Sequence, residues 1–212
     1  MDGEPRKRRR RKDARPAEIV EAGFAEFAEK GFASARLEDV AARAGIAKPT
    51  IYLYFPSKEA LFEAVVRSRI VSAMDGFDER AATFQGSSRD LIALILSGFY
   101  ERLIGGGAVA LFRIIVAEGP RHPGLLRFYR EEALSRLMAV LGRVLERGVA
   151  RGEIRPGPAS REPRVVMAPA LVAALWLDLF QADAPLDRDA YLAAHIDLVL
   201  DGLSVEHGSA PS

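Results

Sequence analysis

Cysteine is absent from the 212 residues, which excludes a disulfide framework, a thiolate nucleophile and a cysteine–zinc site. Long apolar runs are missing too. The longest uncharged one, Val165–Leu177, stops at Asp178, well short of the roughly 20 residues that a bilayer span needs. The amino terminus is basic but no apolar stretch follows it, which argues against a secretory signal. A soluble, cytoplasmic protein without a membrane partner is expected. Histidine is scarce: His122, His195 and His207 stand alone, none in H-E-x-x-H or a close metal pair. His122 lies in a proline-rich turn, and His195, on the last helix, reads as an interface or surface residue. There is no G-x-S-x-G, and Gly105–Gly107 lacks the Lys-Ser or Lys-Thr of a phosphate loop. No catalytic constellation, metal or cofactor is expected.

What is present is ordinary globular composition, 49% apolar and 28% charged, sized for one medium domain or a small one joined to a larger. The net charge of +1 conceals an asymmetry. Residues 1–15 hold eight bases against Asp2, Glu4 and Asp13, a local excess of +5 that leaves −4 for the remainder. The run Arg6–Lys12 repels itself and predicts a disordered arm over 1–13. Such an arm suits a polyanion, or serves only as a solubilising tail.

From Pro16 onward the periodicity is helical. Val20, Phe24 and Phe27 recur at i, i+4 and i+7 with Ile19 and Gly23 beside them, and Lys30-Gly31 is a stop signal. Leu37, Val40, Ala41 and Ala44 form a second short pattern ending at Gly45. A third opens at Lys48-Pro49-Thr50 and closes at Pro56, after which Ser57 caps a long helix. Later helices are predicted over 87–104, 108–118, 123–151, 163–181 and 187–204. No alternating strand pattern or internal repeat appears. The class is all-α with about nine helices. A three-helix helix-turn-helix domain over 14–66 is followed by a helical bundle over 67–205 and a flexible tail over 206–212.

The segment Leu37–Tyr54 reads LEDVAARAGIAKPTIYLY. Two short helices meet at Gly45, where glycine takes a left-handed conformation at little cost. Ala41 permits a close crossing, and Ile46 and Ile51 plug the angle. In this geometry the second helix enters the major groove, presenting Lys48, Pro49, Thr50, Leu53 and, toward its end, Tyr52 and Tyr54. Any helical hairpin can hold such a glycine, so the wider stretch GFASARLEDVAARAGIAKPTIYLYFPSKEALFEAVV (31–66) matters more. With its A-G-I-x-K and T-x-Y-x-Y-F-x-S-K-E-x-L tracts, it resembles the TetR family of transcriptional regulators. The strong likeness covers about residues 15–70.

The resemblance implies roles. Thr50, Tyr52, Tyr54 and Lys58 fall on phosphate-holding positions, and Lys48, Pro49 and Leu53 on base-facing ones, which agrees with their chemistry. Many relatives carry two hydroxyl residues before the position of Leu37, where this chain has Ala35 and Arg36. Ser34 is a substitute cap for the second helix, and Arg36 a substitute phosphate contact. The resemblance also implies a homodimer on a double-stranded DNA operator and a small apolar or amphipathic effector that weakens DNA binding. Phe77, Phe84, Phe99, Phe112, Phe128 and Trp176 are candidates for lining an effector cavity, or for plain bundle core. Helix 163–181 is apolar all round, and the last helix carries Leu192, Ile196, Val199 and Leu203 in one stripe. With Leu171 and Leu175 they are the expected dimer seam. A helical small-molecule enzyme, or a ligand-free interaction module, with an incidental helix-turn-helix-like start remains the alternative.

Overall fold

The computed structural model describes residues 4–72, 77–104 and 109–205, with side chains from residue 16 onward except those of 77, 78, 103 and 104. Among the described residues there are eleven α-helices and no strand. They are α1 (Glu4–Ser34), α2 (Leu37–Arg43), α3 (Lys48–Tyr54), α4 (Lys58–Val66), α5 (Phe77–Thr83), α6 (Ser88–Phe99), α7 (Val109–Glu118), α8 (Pro123–Tyr129), α9 (Ser135–Ala150), α10 (Pro163–Leu179) and α11 (Arg188–Gly202). Wide i→i+5 turns at Arg67–Val71, Tyr100–Ile104 and Arg130–Leu134 continue α4, α6 and α8. The helix predicted over 123–151 is therefore α8, a wide turn and α9. The loop Gly105–Gly107, the side chain of Phe77, His207 and the tail over 206–212 lie outside the described residues.

Helix α1 begins at Glu4, so the backbone of the basic run is helical where the charge pattern predicts disorder. Arginine and lysine are good helix formers, and Pro16 inside the helix removes one rung of the ladder without ending it. At Gly31 the backbone leaves the helix with φ 73° and ψ 171°, a region that only glycine enters easily. The stop predicted at Lys30-Gly31 is thus a break inside the assigned element.

The helices fall into two compact units, Met1–Val71 with Ala110–Tyr129, and Ser72–Val109 with Arg130–Ser212. Most of α7 and all of α8 cluster with the amino-terminal helices, across the sequence boundary near residue 66. In the first unit α4 packs on α1, and a methyl group on Gly23 would stand only 3.0 Å from Leu61. Phe27, Phe32 and Phe62 are buried together with ring centroids 5.3–5.8 Å apart. Both contacts with Phe62 are edge-to-face, an arrangement that gains beyond simple burial.

Glu26, on the same helix, is only 1% exposed. Its carboxylate stands 2.7 Å from the Lys30 ammonium and 3.1 Å from the Arg43 guanidinium. Lys30 continues to Asp39 at 3.1 Å and Arg43 to Glu29 at 2.5 Å. These ion pairs tie α2 to α1. Their worth depends on staying intact, because a buried carboxylate without a partner is strongly destabilising.

The second unit buries one face each of α6, α9 and α10 around Ile92, Leu96, Leu141, Leu145 and Ala170, with Val199 of α11 and Leu203 just after it. Arg147 of α9 donates to Ser88 Oγ, Phe84 O and Gly86 O, each at 3.2 Å, which fixes the turn before α6. Ser87 and Asp90 form a reciprocal cap at the start of that helix. His195 is not at the surface, as its place on the last helix suggests, but 2% exposed in this core. Its Nε2 lies 2.9 Å from Val166 O and therefore carries the proton, leaving Nδ1 to accept from the Tyr100 hydroxyl at 3.1 Å. Burial pushes the His195 pKa down and the Tyr100 pKa up, so both remain neutral while linking α6, α10 and α11.

Phe62→Ala removes the ring that both other phenylalanines meet edge-on. The variant should lose about 3–5 kcal/mol of stability. Denaturant unfolding followed by circular dichroism reads this; a loss below about 1 kcal/mol would mean that the ring cluster is dispensable.

Candidate nucleic-acid interface

The reading head is two seven-residue helices, each too short to stand alone. Helix α2 buries Leu37, Val40 and Ala41 against its neighbours, whereas α3 buries Ile51 alone. Between them Gly45 adopts φ +65°, and the Ile46 N–H donates to Ala41 O at 2.9 Å, closing the turn as its glycine predicts. Pro49 sits in the first turn of α3, where its missing N–H costs nothing.

With Ile51 as the single anchor, the rest of α3 turns outward. Lys48, Pro49, Tyr52 and Leu53 are exposed, and Thr50 and Tyr54 are half-buried at the flanks. Leu53 is 83% exposed. Arg36 is also exposed and occupies the N-cap of α2, with no side-chain cap bond there. Ser34 does not supply the cap; the Ala35 N–H turns back to Gly31 O instead.

Ser57 caps α4 as its sequence predicts, accepting from the Ala60 N–H at 3.1 Å. Lys58 follows, but its ammonium points back into the protein. It donates to Phe32 O at 2.6 Å and Ala33 O at 3.1 Å, and lies 4.6 Å from the centre of the Phe32 ring. The break at Gly31 leaves these carbonyls outside the regular ladder, and a cation at a helix carboxy-terminal end is favourable. The lysine expected at a phosphate is first of all a clamp on the end of α1.

Glu38 is the residue that sequence reasoning missed. One oxygen, Oε1, receives both the Lys48 ammonium at 2.9 Å and the Tyr52 hydroxyl at 3.0 Å. Lys48, then the backbone N–H of Glu38 itself and the Tyr52 hydroxyl hold its carboxyl down to about 2, while the pKa values of Lys48 and Tyr52 are pushed up. An acid in the first turn of a helix is ordinarily read as complementing the helix dipole, and the ten-residue separation from Lys48 gave no local signal.

The expected effector-lining residues separate. Phe112 and Phe128 belong to the first unit, where the Phe112 ring lies 6.4 Å from that of Tyr129 and Phe128 lies 4.7 Å beneath the Arg67 guanidinium. Phe84 and Phe99 pack against the core of the second. Trp176 is on an outer face rather than lining an interior, with Nε1 donating to Ala184 O at 2.8 Å and its ring beside Phe180. Among the described residues no His, Asp and Glu cluster could hold a metal ion, and no helix is long and apolar enough to cross a membrane.

Residues 19–65 match the family described as bacterial regulatory proteins, tetR family, and residues 85–199 match the tetracyclin repressor-like C-terminal domain. The chain belongs to the TetR family. It is 26% identical over 198 residues to the HTH-type transcriptional repressor KstR2 of Rhodococcus jostii, covering 92% of this chain and 94% of that one. It is 27% identical over 141 residues to the fatty acid metabolism regulator protein of Bacillus subtilis, covering 66% and 71%. Among solved structures, Bacillus subtilis FadR in complex with stearoyl-CoA shares the fold with a TM-score of 0.69 at 22% identity, over 88% of this chain and 98% of that one. As a TetR-family protein the chain is a ligand-responsive, DNA-binding transcriptional regulator, with a helix-turn-helix head and a helical ligand domain.

Replacing Lys48 by alanine removes the largest cause of the low Glu38 pKa. Carboxyl-detected NMR should then find the Glu38 midpoint raised from near 2 toward the ordinary glutamate range of about 4.3. An unmoved midpoint would mean that the pair does not persist in solution.

Proposed function

We propose that this TetR-family regulator is a cytoplasmic homodimeric repressor whose two α3 helices read successive major grooves of a palindromic operator. Binding of a small apolar or amphipathic effector releases it. The observation that carries the reading is the outward face of α3, where Lys48, Pro49 and Leu53 share one exposed surface around a single buried Ile51. Lys48 donates to guanine O6 or N7, and Leu53 packs on a thymine methyl. Thr50, Tyr52, Tyr54 and Arg36 hold phosphates, and Lys58 adds its charge at the start of α4 while clamping α1. Support for an effector with an acyl chain comes from the fatty acid metabolism regulator and from the FadR complex with stearoyl-CoA.

For the dimer, burial redirects the expectation. Val199 and Leu203 are buried in the chain's own core, and Leu192 and Ile196 pack against it, so the stripe along α11 faces inward. Leu171 and Leu175 are half-buried. Among the large apolar side chains left outside are Val165, Val172, Trp176 and Leu179 on α10, at i, i+7, i+11 and i+14, and Leu198 on α11. This side of α10 with Leu198 is the surface for a second copy of the chain.

Two experiments test these readings. A duplex selected from a random pool by the full-length protein supplies the operator. Lys48→Ala should relax preference at one position by about 1–3 kcal/mol, whereas Tyr54→Phe should weaken binding evenly across an operator mutation series. The same pattern from both would overturn the division of roles. Separately, Val172→Glu with Leu198→Glu should give a folded monomer in light scattering with much reduced operator affinity, because half-sites are no longer read together. Ile196→Glu should instead unfold the second unit. A stable dimer in the double variant would place the seam elsewhere.

A further inference from the structure

We infer that Glu38 is a specificity-determining residue of the reading head, holding the Lys48 ammonium toward base edges and away from phosphates. The inference rests on α3 being the DNA-reading helix. Lys48 is the only cation in the α3 sequence KPTIYLY, and Glu38 Oε1 takes its ammonium and the Tyr52 hydroxyl together. Asp39, next in sequence, is engaged by Lys30 from α1, so it does not compete for Lys48. All three side chains of the Glu38 triad reach solvent.

An ammonium carries three N–H donors, so exposed Lys48 holds Glu38 Oε1 with others left to give. While the pair is closed, α3 carries almost no net charge to a stretch of DNA that offers only its backbone. Sequence-independent binding scales with the number of phosphates neutralised, and Glu38 removes one cation from that count. At an operator the ammonium keeps Glu38 Oε1 and gives its remaining N–H groups to guanine O6 and N7, whereas on other DNA it must leave Glu38 to reach a phosphate, so the carboxylate costs the specific complex less than the non-specific one. Glu38 thus lowers affinity most where Lys48 can reach the DNA only by giving up the pair.

The test compares Glu38→Gln with the wild-type full chain on two probes, the selected operator duplex and a scrambled duplex of equal composition, across a salt titration. Glu59→Gln, an exposed acid in the first turn of α4, controls for the loss of a negative charge as such. The expected result is about fivefold tighter binding of scrambled DNA with less than about twofold change on the operator. The slope of log affinity against log salt on scrambled DNA should steepen by about 0.9, the value for one more neutralised phosphate. In a Lys48→Ala background the Glu38→Gln effect should shrink to that of Glu59→Gln. Equal tightening on both probes, or an effect no larger than that of Glu59→Gln, would overturn the inference while leaving α3 as the reader. If Lys48→Ala alone left operator binding unchanged, the assignment of α3 would fall, and the role of Glu38 with it.

Discussion

The reading head depends on a carboxylate that is buried and must be paired. Glu26 is held by Lys30 from its own helix and by Arg43 from α2, and losing either partner would leave a buried charge poorly compensated. That requirement sets α2 against α1. Helix α3 has no such fastening; with Ile51 as its single buried residue, it takes its orientation from α2 through the Gly45 turn and from α4 through the short link at Pro56. The bare outer surface of α3 is the counterpart of this arrangement. Its outer residues need not hold the helix in place, because it is positioned by others.

The parts of this design that are local in sequence were the legible ones. Gly45, Pro49, Ser57 and the apolar spacing of α2 each act within a few residues, and each does in the structure what its chemistry predicts. The parts set by distant partners were not. Lys58 reads as a phosphate ligand because nothing in the sequence reveals that the break at Gly31 puts two carbonyls within its reach. Glu38 and Lys48 meet only once the turn has folded. The division into units was hidden for the same reason, since α7 and α8 join the amino-terminal helices through contacts made by residues far apart in the chain.

The last helix carries a different lesson. Leu192, Ile196, Val199 and Leu203 make a clean helical stripe, and such a stripe marks a face that is buried without saying by what. Here it is the chain's own core. Helix α10 is the more informative element, because an apolar residue on every side cannot be satisfied by one core alone. It buries Val166, Met167, Ala170 and Ala173 on one side and leaves Val172, Trp176 and Leu179 on the other. His195, hydrogen-bonded at both ring nitrogens between these helices, fixes which side of α11 faces in.

Charge is partitioned along the chain in a way that separates attraction to DNA from discrimination within it. Residues 1–15 hold an excess of +5 while the remainder carries −4, and the single lysine of α3 is engaged by an acid. Under the proposed reading, a basic segment ahead of the head would gather phosphates regardless of sequence and carry most of the salt dependence of binding. The nearly neutral face of α3 adds little to that attraction, so what it contributes is mostly the difference between one base sequence and another. A regulator whose reading helix carried several unpaired cations would bind more DNA more tightly and tell operators apart less well. Keeping the cations in the arm and the selective contacts on α3 lets the two quantities be set independently.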